Sequence, residues 1–515
     1  MTARGRADSR ARVVHGWPVF AGLVLVIYGT VVRAAAWEWQ SSLVLGEIYT
    51  DNLTLSSAGR TESEWVTEIT PGIRASREGA RIKMDAAYRL QNLLYGNDSD
   101  RNNTRHQLNA RASAEVIRDH FFIDAKSTVS QQIVDPDRSV AADRITPGST
   151  SDVFTYGVSP YARFRLGRFA DAALRYDVGW VEQEGNMLSD GRSEGYSATL
   201  ASGRGFSRLL WQFAYHRSEL DRGDQTDSVR ENGSGSLRYR LFEHFSLLAQ
   251  GGYENNDVAT SRSVRNGEYW SGGFLWVPSG HFSFEATRGH NLDSVSMRIS
   301  PSRRLNLQLG YRKFDLGLNP GDSWTASLSY RLRRTTWLGS YTETSTNVQT
   351  LQLAGQQVFA LVDIDGNPII DPTTGQPIVL VSNVFALTDE EFLSKRGRLT
   401  VVTTTAKSNY IFALFDERRE YELSLRRDTV RGANASWSWR FARRTSSRLS
   451  GNWLRSSSSV RQGHDDSWQL AVGLFQSTGR DVTSSLEYRH ARSNPSEGRD
   501  SYRENRITAR MTINF

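Results

Sequence analysis

Few residues in this chain are spaced for chemistry. The one compact acid–base cluster is His464-Asp465-Asp466, residue types that exchange protons near neutrality. It has no nucleophile elbow to serve: Gly195-Tyr196-Ser197 fails the G-x-S-x-G pattern at its last glycine. Polar runs of this kind ordinarily lie in solvated loops. Asp363, Asp365 and Asn367 match the first ligands of a calcium loop, but that pattern then asks for glycine and glutamate where the chain has Pro368 and Thr374. The 9 histidines form no H-x-x-x-H pair. The absence of cysteine removes disulfides, thiolate metal sites, a catalytic thiol and the acylated cysteine of a lipoprotein. The expectation is a protein without a cofactor, metal or catalytic residue, and not an enzyme.

Charged residues are instead distributed by period. Ile82, Met84, Ala86, Tyr88 and Leu90 alternate with Lys83, Asp85, Ala87, Arg89 and Gln91; Ala172, Leu174, Tyr176, Val178 and Trp180 alternate with Arg175, Asp177 and Gly179. The same two-residue rhythm runs through Leu209–Tyr215, Leu305–Arg312, Trp324–Leu332 and Val482–Arg489, and it closes the chain in Ile507, Ala509, Met511, Ile513 and Phe515. Such alternation makes a strand with one oily and one wet face. A charge facing lipid at mid-membrane costs about 2–4 kcal/mol. Lys83, Asp85, Arg89, Arg175, Asp177, Arg312, Arg331, Glu487, Arg489 and Arg510 are therefore expected to line a lumen. Phe515, a terminal aromatic on an alternating strand, reads as an assembly signal of the kind outer-membrane barrels carry. Aromatic residues in the lumen would let sugars stack, but Tyr269–Val277 reads equally well in either register.

Composition fits one class. Mean hydropathy is −0.50, yet the chain carries 14 Trp, 19 Tyr and 22 Phe. A transmembrane barrel explains both, because half of each strand meets water and aromatic girdles mark the two interfaces. Residues 1–36 read as a cleaved signal peptide, with Arg4, Arg6, Arg10 and Arg12, an apolar run from Val19 to Val32, and Ala34-Ala35-Ala36. Removing them takes away five arginines and one aspartate and lowers the formal charge from +7 to +3, which gives nucleic acid little to bind. The partners expected are outer-membrane lipid and the barrel-assembly machinery.

Connections alternate between tight turns, such as Arg118-Asp119-His120 and Pro301-Ser302-Arg303, and long polar loops, such as 135–151 and 183–193. That is the pattern of short periplasmic turns and long surface loops. The fold expected over residues 37–515 is all-β: a large transmembrane, antiparallel, up-and-down β-barrel of about 24 strands, within roughly 20 to 26. A ring of that size leaves an aqueous lumen. One insertion, residues 347–397, breaks the rhythm. It is expected to hold a hairpin, from Gln357–Val362 and Pro377–Phe385, and a short helix, Thr388–Lys395, capped by Thr388 and Glu391. Two roles fit it, a lid or a constriction.

Tyr49-Thr50-Asp51-Asn52, Thr70-Pro71-Gly72-Ile73, Tyr88-Arg89-Leu90 with Tyr95, Ser159-Pro160-Tyr161 and Leu387-Thr388-Asp389-Glu390-Glu391-Phe392 are spread from about residue 38 to the end of the chain. Together they resemble a family of outer-membrane β-barrel proteins associated with the exosortase/PEP-CTERM system. The resemblance implies an outer-membrane step in exopolysaccharide export or envelope assembly, as a pore or accessory conduit, with exopolysaccharide and periplasmic export components as partners. A structural barrel that docks export machinery or surface polymer, and a rim-active enzyme, are the alternatives. The resemblance assigns no functional residue.

Overall fold

The alternating segments fold as strands, in a computed structural model that describes residues 37–515 apart from 134–144, 149, 185–188, 223–226, 261–263, 354–387, 461–462, 480 and 497–500. The expected leader, the expected hairpin and the Asp363–Asn367 turn lie outside the described residues. In chain order the strands begin with β1 (Glu38–Thr50), β2 (Glu64–Glu78), β3 (Ile82–Tyr95), β4 (Asn103–Ile117), β5 (Phe121–Ile133) and β6 (Thr150–Leu166). Next come β7 (Ala170–Gln183), β8 (Gly191–Ser202), β9 (Leu209–Asp221), β10 (Ser228–Phe242), β11 (Phe245–Asp257) and β12 (Gly267–Ser279). Then follow β13 (Phe282–His290), β14 (Leu292–Ser302), β15 (Leu305–Phe314), β16 (Gly321–Arg331) and β17 (Thr335–Thr346), and the helix α1 (Val348–Leu353). The last are β18 (Phe392–Thr404), β19 (Ser408–Tyr421), β20 (Arg427–Trp439), β21 (Thr445–Ser458), β22 (Asp465–Thr478), β23 (Val482–Asn494) and β24 (Tyr502–Asn514).

Each strand pairs antiparallel with its neighbours in sequence, and β24 pairs with β1 from Ser42↔Asn514 to Thr50↔Arg506. The 24 strands thus close into a ring with no free edge. Leu174, Phe213, Val472 and Leu486 stand outside it, each about half exposed. Aromatic rings bracket this aliphatic band: Trp39, Trp276, Trp337 and Trp439 near the short-turn end, and Trp65, Trp270, Trp324 and Trp468 near the long-loop end. An apolar belt between two girdles around a polar interior is built to stand in lipid. The chain is an outer-membrane β-barrel. The short-turn end is the periplasmic one.

Three details depart from the sequence reading. Two surface connections are short: Asn291 alone joins β13 to β14, at a φ of 60° that asparagine tolerates, and 422–426 joins β19 to β20. The helix expected at Thr388–Lys395 is absent. Phe392 instead starts β18 and packs, fully buried, with Tyr421 and Val348. Pairing with β17 and β19 outweighs the local capping signal, and Thr388 only accepts from the Glu390 N–H at 3.3 Å. The helix lies earlier, at α1, where the Asn347 side chain accepts from Thr350 N–H at 2.8 Å as a cap.

The ring is not evenly round at its surface end. Twenty-four strands about 4.8 Å apart and tilted by about 40° would hold strands seven places apart roughly 38 Å from each other. Yet Arg230 on β10 donates to the carbonyl of Ser345 on β17 at 3.2 Å. The β16–β17 ladder explains how. It runs only from Arg331↔Thr336 to Ala326↔Tyr341, while β17 keeps β18 up to Thr346↔Phe392. Above Tyr341, β17 is no longer paired with β16 but stays paired with β18, and its Ser345 hydroxyl accepts from Asn319 of the connection before β16.

Candidate functional site

The described ends of the insertion between β17 and β18, residues 347–353 and 388–391, form a strap that reaches from β17 and β18 to the far wall. Residues directly opposite on paired strands share a face, so contacts with α1 identify the luminal face of the wall. Lys126 on β5 donates to the carbonyl of Leu353, and Gln352 donates to Gln132 on β5 at 3.1 Å. Leu353 lies against bare backbone at Gly179 on β7: a methyl there would come within 2.8 Å of its Cδ2. Gly179 faces Gly157 on β6, which leaves a shelf without side chains for α1.

The far end of the strap is anchored by two carboxylates. Asp389 accepts from the N–H and hydroxyl of Ser189 at 3.1 and 3.0 Å, and from Gln349 of α1; its carbonyl accepts from Arg222. Glu391 is buried and accepts from Asn347 at 2.6 Å, from Ser228 at 3.3 Å and from Arg230. The two ends of the insertion are therefore tied to each other, through Asn347–Glu391 and Gln349–Asp389. They are also tied to loops and strands from β5 to β10. Charge-assisted hydrogen bonds that are shielded from water are strong, so the described parts of the strap hold the mouth drawn in.

The ten residues expected to line a lumen sit on the luminal face of their strands but form no single centre. Lys83 lies 3.7 Å from Glu78, and Asp85 pairs with Arg74 at 2.7 Å. Arg89 packs across Gly72. Arg175 meets Asp177 at 2.9 Å and Asp124 at 3.2 Å, and its guanidinium stacks over Tyr161. Arg312 stacks on Phe314, 4.1 Å from the ring centre. Arg331 is exposed at the short-turn end of β16, and Glu487 lies opposite Gly473. Arg489 pairs with Glu504 and Arg510 with Glu68, at 2.7 and 2.8 Å. Phe515 is exposed below β24 and donates its N–H to the Ser41 carbonyl at 2.8 Å, next to the closing seam.

The ambiguous segment resolves with Trp270 outside the ring, which turns Tyr269 inward against Phe314. The His464 cluster is split. His464 lies 3.2 Å from Asp466, which Arg455 already holds at 2.8 and 3.0 Å, and Asp465 instead accepts from the Ser496 N–H and hydroxyl at 2.7 and 2.9 Å. Serine and histidine thus lean on different carboxylates, so no relay forms. Sequence reasoning did not single out Arg230, Ser228, Asn347 or Gln349; it named Glu391 only as a helix cap and Asp389 only within the Leu387–Phe392 motif. Only the Asn347 cap before Val348–Leu353 carried a local signal.

No protein-family model matches the sequence, and no curated protein aligns with it. Among solved structures, the FrpB iron transporter from Neisseria meningitidis in its apoprotein form is 10% identical with a TM-score of 0.46, over 94% of this chain and 82% of that one. The siderophore receptor PirA from Acinetobacter baumannii is 7% identical with a TM-score of 0.43, over 94% and 81%. The outer membrane protein opdK from Pseudomonas aeruginosa is 10% identical with a TM-score of 0.35, over 93% and 99%. Likenesses this distant assign no cargo to the chain.

Proposed function

We propose that this barrel is a gated conduit, or an accessory of one, in the outer-membrane step of exopolysaccharide export, and that it is not an enzyme. The observation that carries the conduit is the strap: its described ends, residues 347–353 and 388–391, reach across the mouth of a 24-strand ring and are held by Asp389 and Glu391. A ring this wide does not fill with wall side chains, so an internal barrier has something to close. The polysaccharide rests on the sequence motifs that resemble exosortase-associated barrels, including Leu387–Phe392, which contains the strap's anchor. The test is deletion of the gene in its host: export predicts that polymer outside the cell falls while its synthesis continues. Undiminished secretion with altered retention on the surface would favour the docking reading instead.

A further inference from the structure

The two ends of the barrel carry opposite charge. Counted over the residues between strands, the eleven periplasmic turns hold fourteen Arg and Lys against three acids, Asp119, Glu243 and Asp481. The twelve surface connections hold ten Arg against twenty-one acids. The formal balance is thus +11 at one mouth and −11 at the other. Arg303, Arg304, Arg333, Arg334, Arg443 and Arg444 are exposed. Among the described turn residues, only Arg118 has a carboxylate within ion-pair distance, Asp119 at 3.7 Å. The insertion 347–391 contains six acids and no Lys or Arg.

We infer that the periplasmic mouth is a capture surface for an anionic polysaccharide, one bearing carboxylates along its length, and that the charge asymmetry makes its arrival faster on the periplasmic side than on the outer side. This rests on the conduit reading and names its substrate class. A mouth lined with one sign of charge concentrates the opposite ion and speeds its arrival, while the acidic mouth slows binding from outside. Phospholipid phosphates of the inner leaflet are the competing occupant, but they stop at the outside of the ring. The cations continue inside it: Arg163, over the stacked Phe122 and Tyr161, lies on the same face of β6 as Gly157, and Arg298 on β14 lies opposite the luminal Gln308.

The test uses the folded full chain in neutral detergent, with fluorescence anisotropy of a labelled oligogalacturonate and of a neutral dextran of equal length. The expected result is binding of the oligogalacturonate alone, weakened by added salt, and weakened by about tenfold or more in Arg303→Gln/Arg304→Gln/Arg333→Gln/Arg334→Gln. A second variant, Arg443→Gln/Arg444→Gln, repeats the test should the first not fold. Equal binding of the two sugars, or binding unchanged in folded variants, overturns the capture surface. So does loss in these variants of association with phosphatidylglycerol vesicles but not with the oligosaccharide. Planar-bilayer recording separates the two readings: a pore without selective binding refutes capture alone, and binding without any pore, strap removed, refutes the conduit.

Discussion

At the residue scale the strap depends on Glu391. Its carboxylate is buried and receives Asn347, Ser228 and Arg230. Removing one partner of a buried charge pair leaves the other unpaired, at about 3 kcal/mol or more. Glu391→Ala is therefore expected to leave the barrel folded but release the strap, seen as faster proteolysis of the insertion in the folded protein; an unchanged cleavage rate would contradict the latch. Gly179 tests the other anchor. Its missing Cβ leaves room for Leu353, so Gly179→Val should lift α1 and expose the insertion in the same way, whereas Gly280→Val, at an open turn position at the other end of the ring, should leave its cleavage unchanged. Phe515 donates to Ser41 next to the closing seam. Its deletion should lower the yield of heat-modifiable, membrane-inserted barrel, and normal yield would mean the seam does not need it.

At the element scale, what was legible followed from period. Two-residue alternation gave the strands, and the presence of a charge at a position, of either sign, gave its face, because only one face of a membrane strand tolerates charge. Lys83, Arg175 and Arg510 could be turned inward on that ground alone. The strap was legible as an interruption but not as an anatomy. Thr388 and Glu391 spell a capping box, yet Glu391 is spent on Arg230, 161 residues away in sequence, and no local pattern announces such a partner. The early end of the β16–β17 ladder at Ala326↔Tyr341 was equally silent. Thr346 and Phe392 face each other across β17 and β18. Replacing Asn347–Glu391 by a two-residue Asn-Gly turn should therefore preserve the ring, with unchanged heat-modifiable mobility as the check.

At the scale of the molecule, 24 strands enclose a lumen that the wall alone does not close, and the described ends of one insertion reach across its mouth. Closure lives at the surface end, where Arg230 and Ser345 bring β10 and β17 together; basic charge gathers at the other end. Conductance in planar bilayers measures whether the strap is what stands in the way. The full chain should show rare or small openings, and the ring with Asn347–Glu391 replaced by the short turn should show a large, stable pore. A folded, strapless ring that passes no current would contradict the conduit.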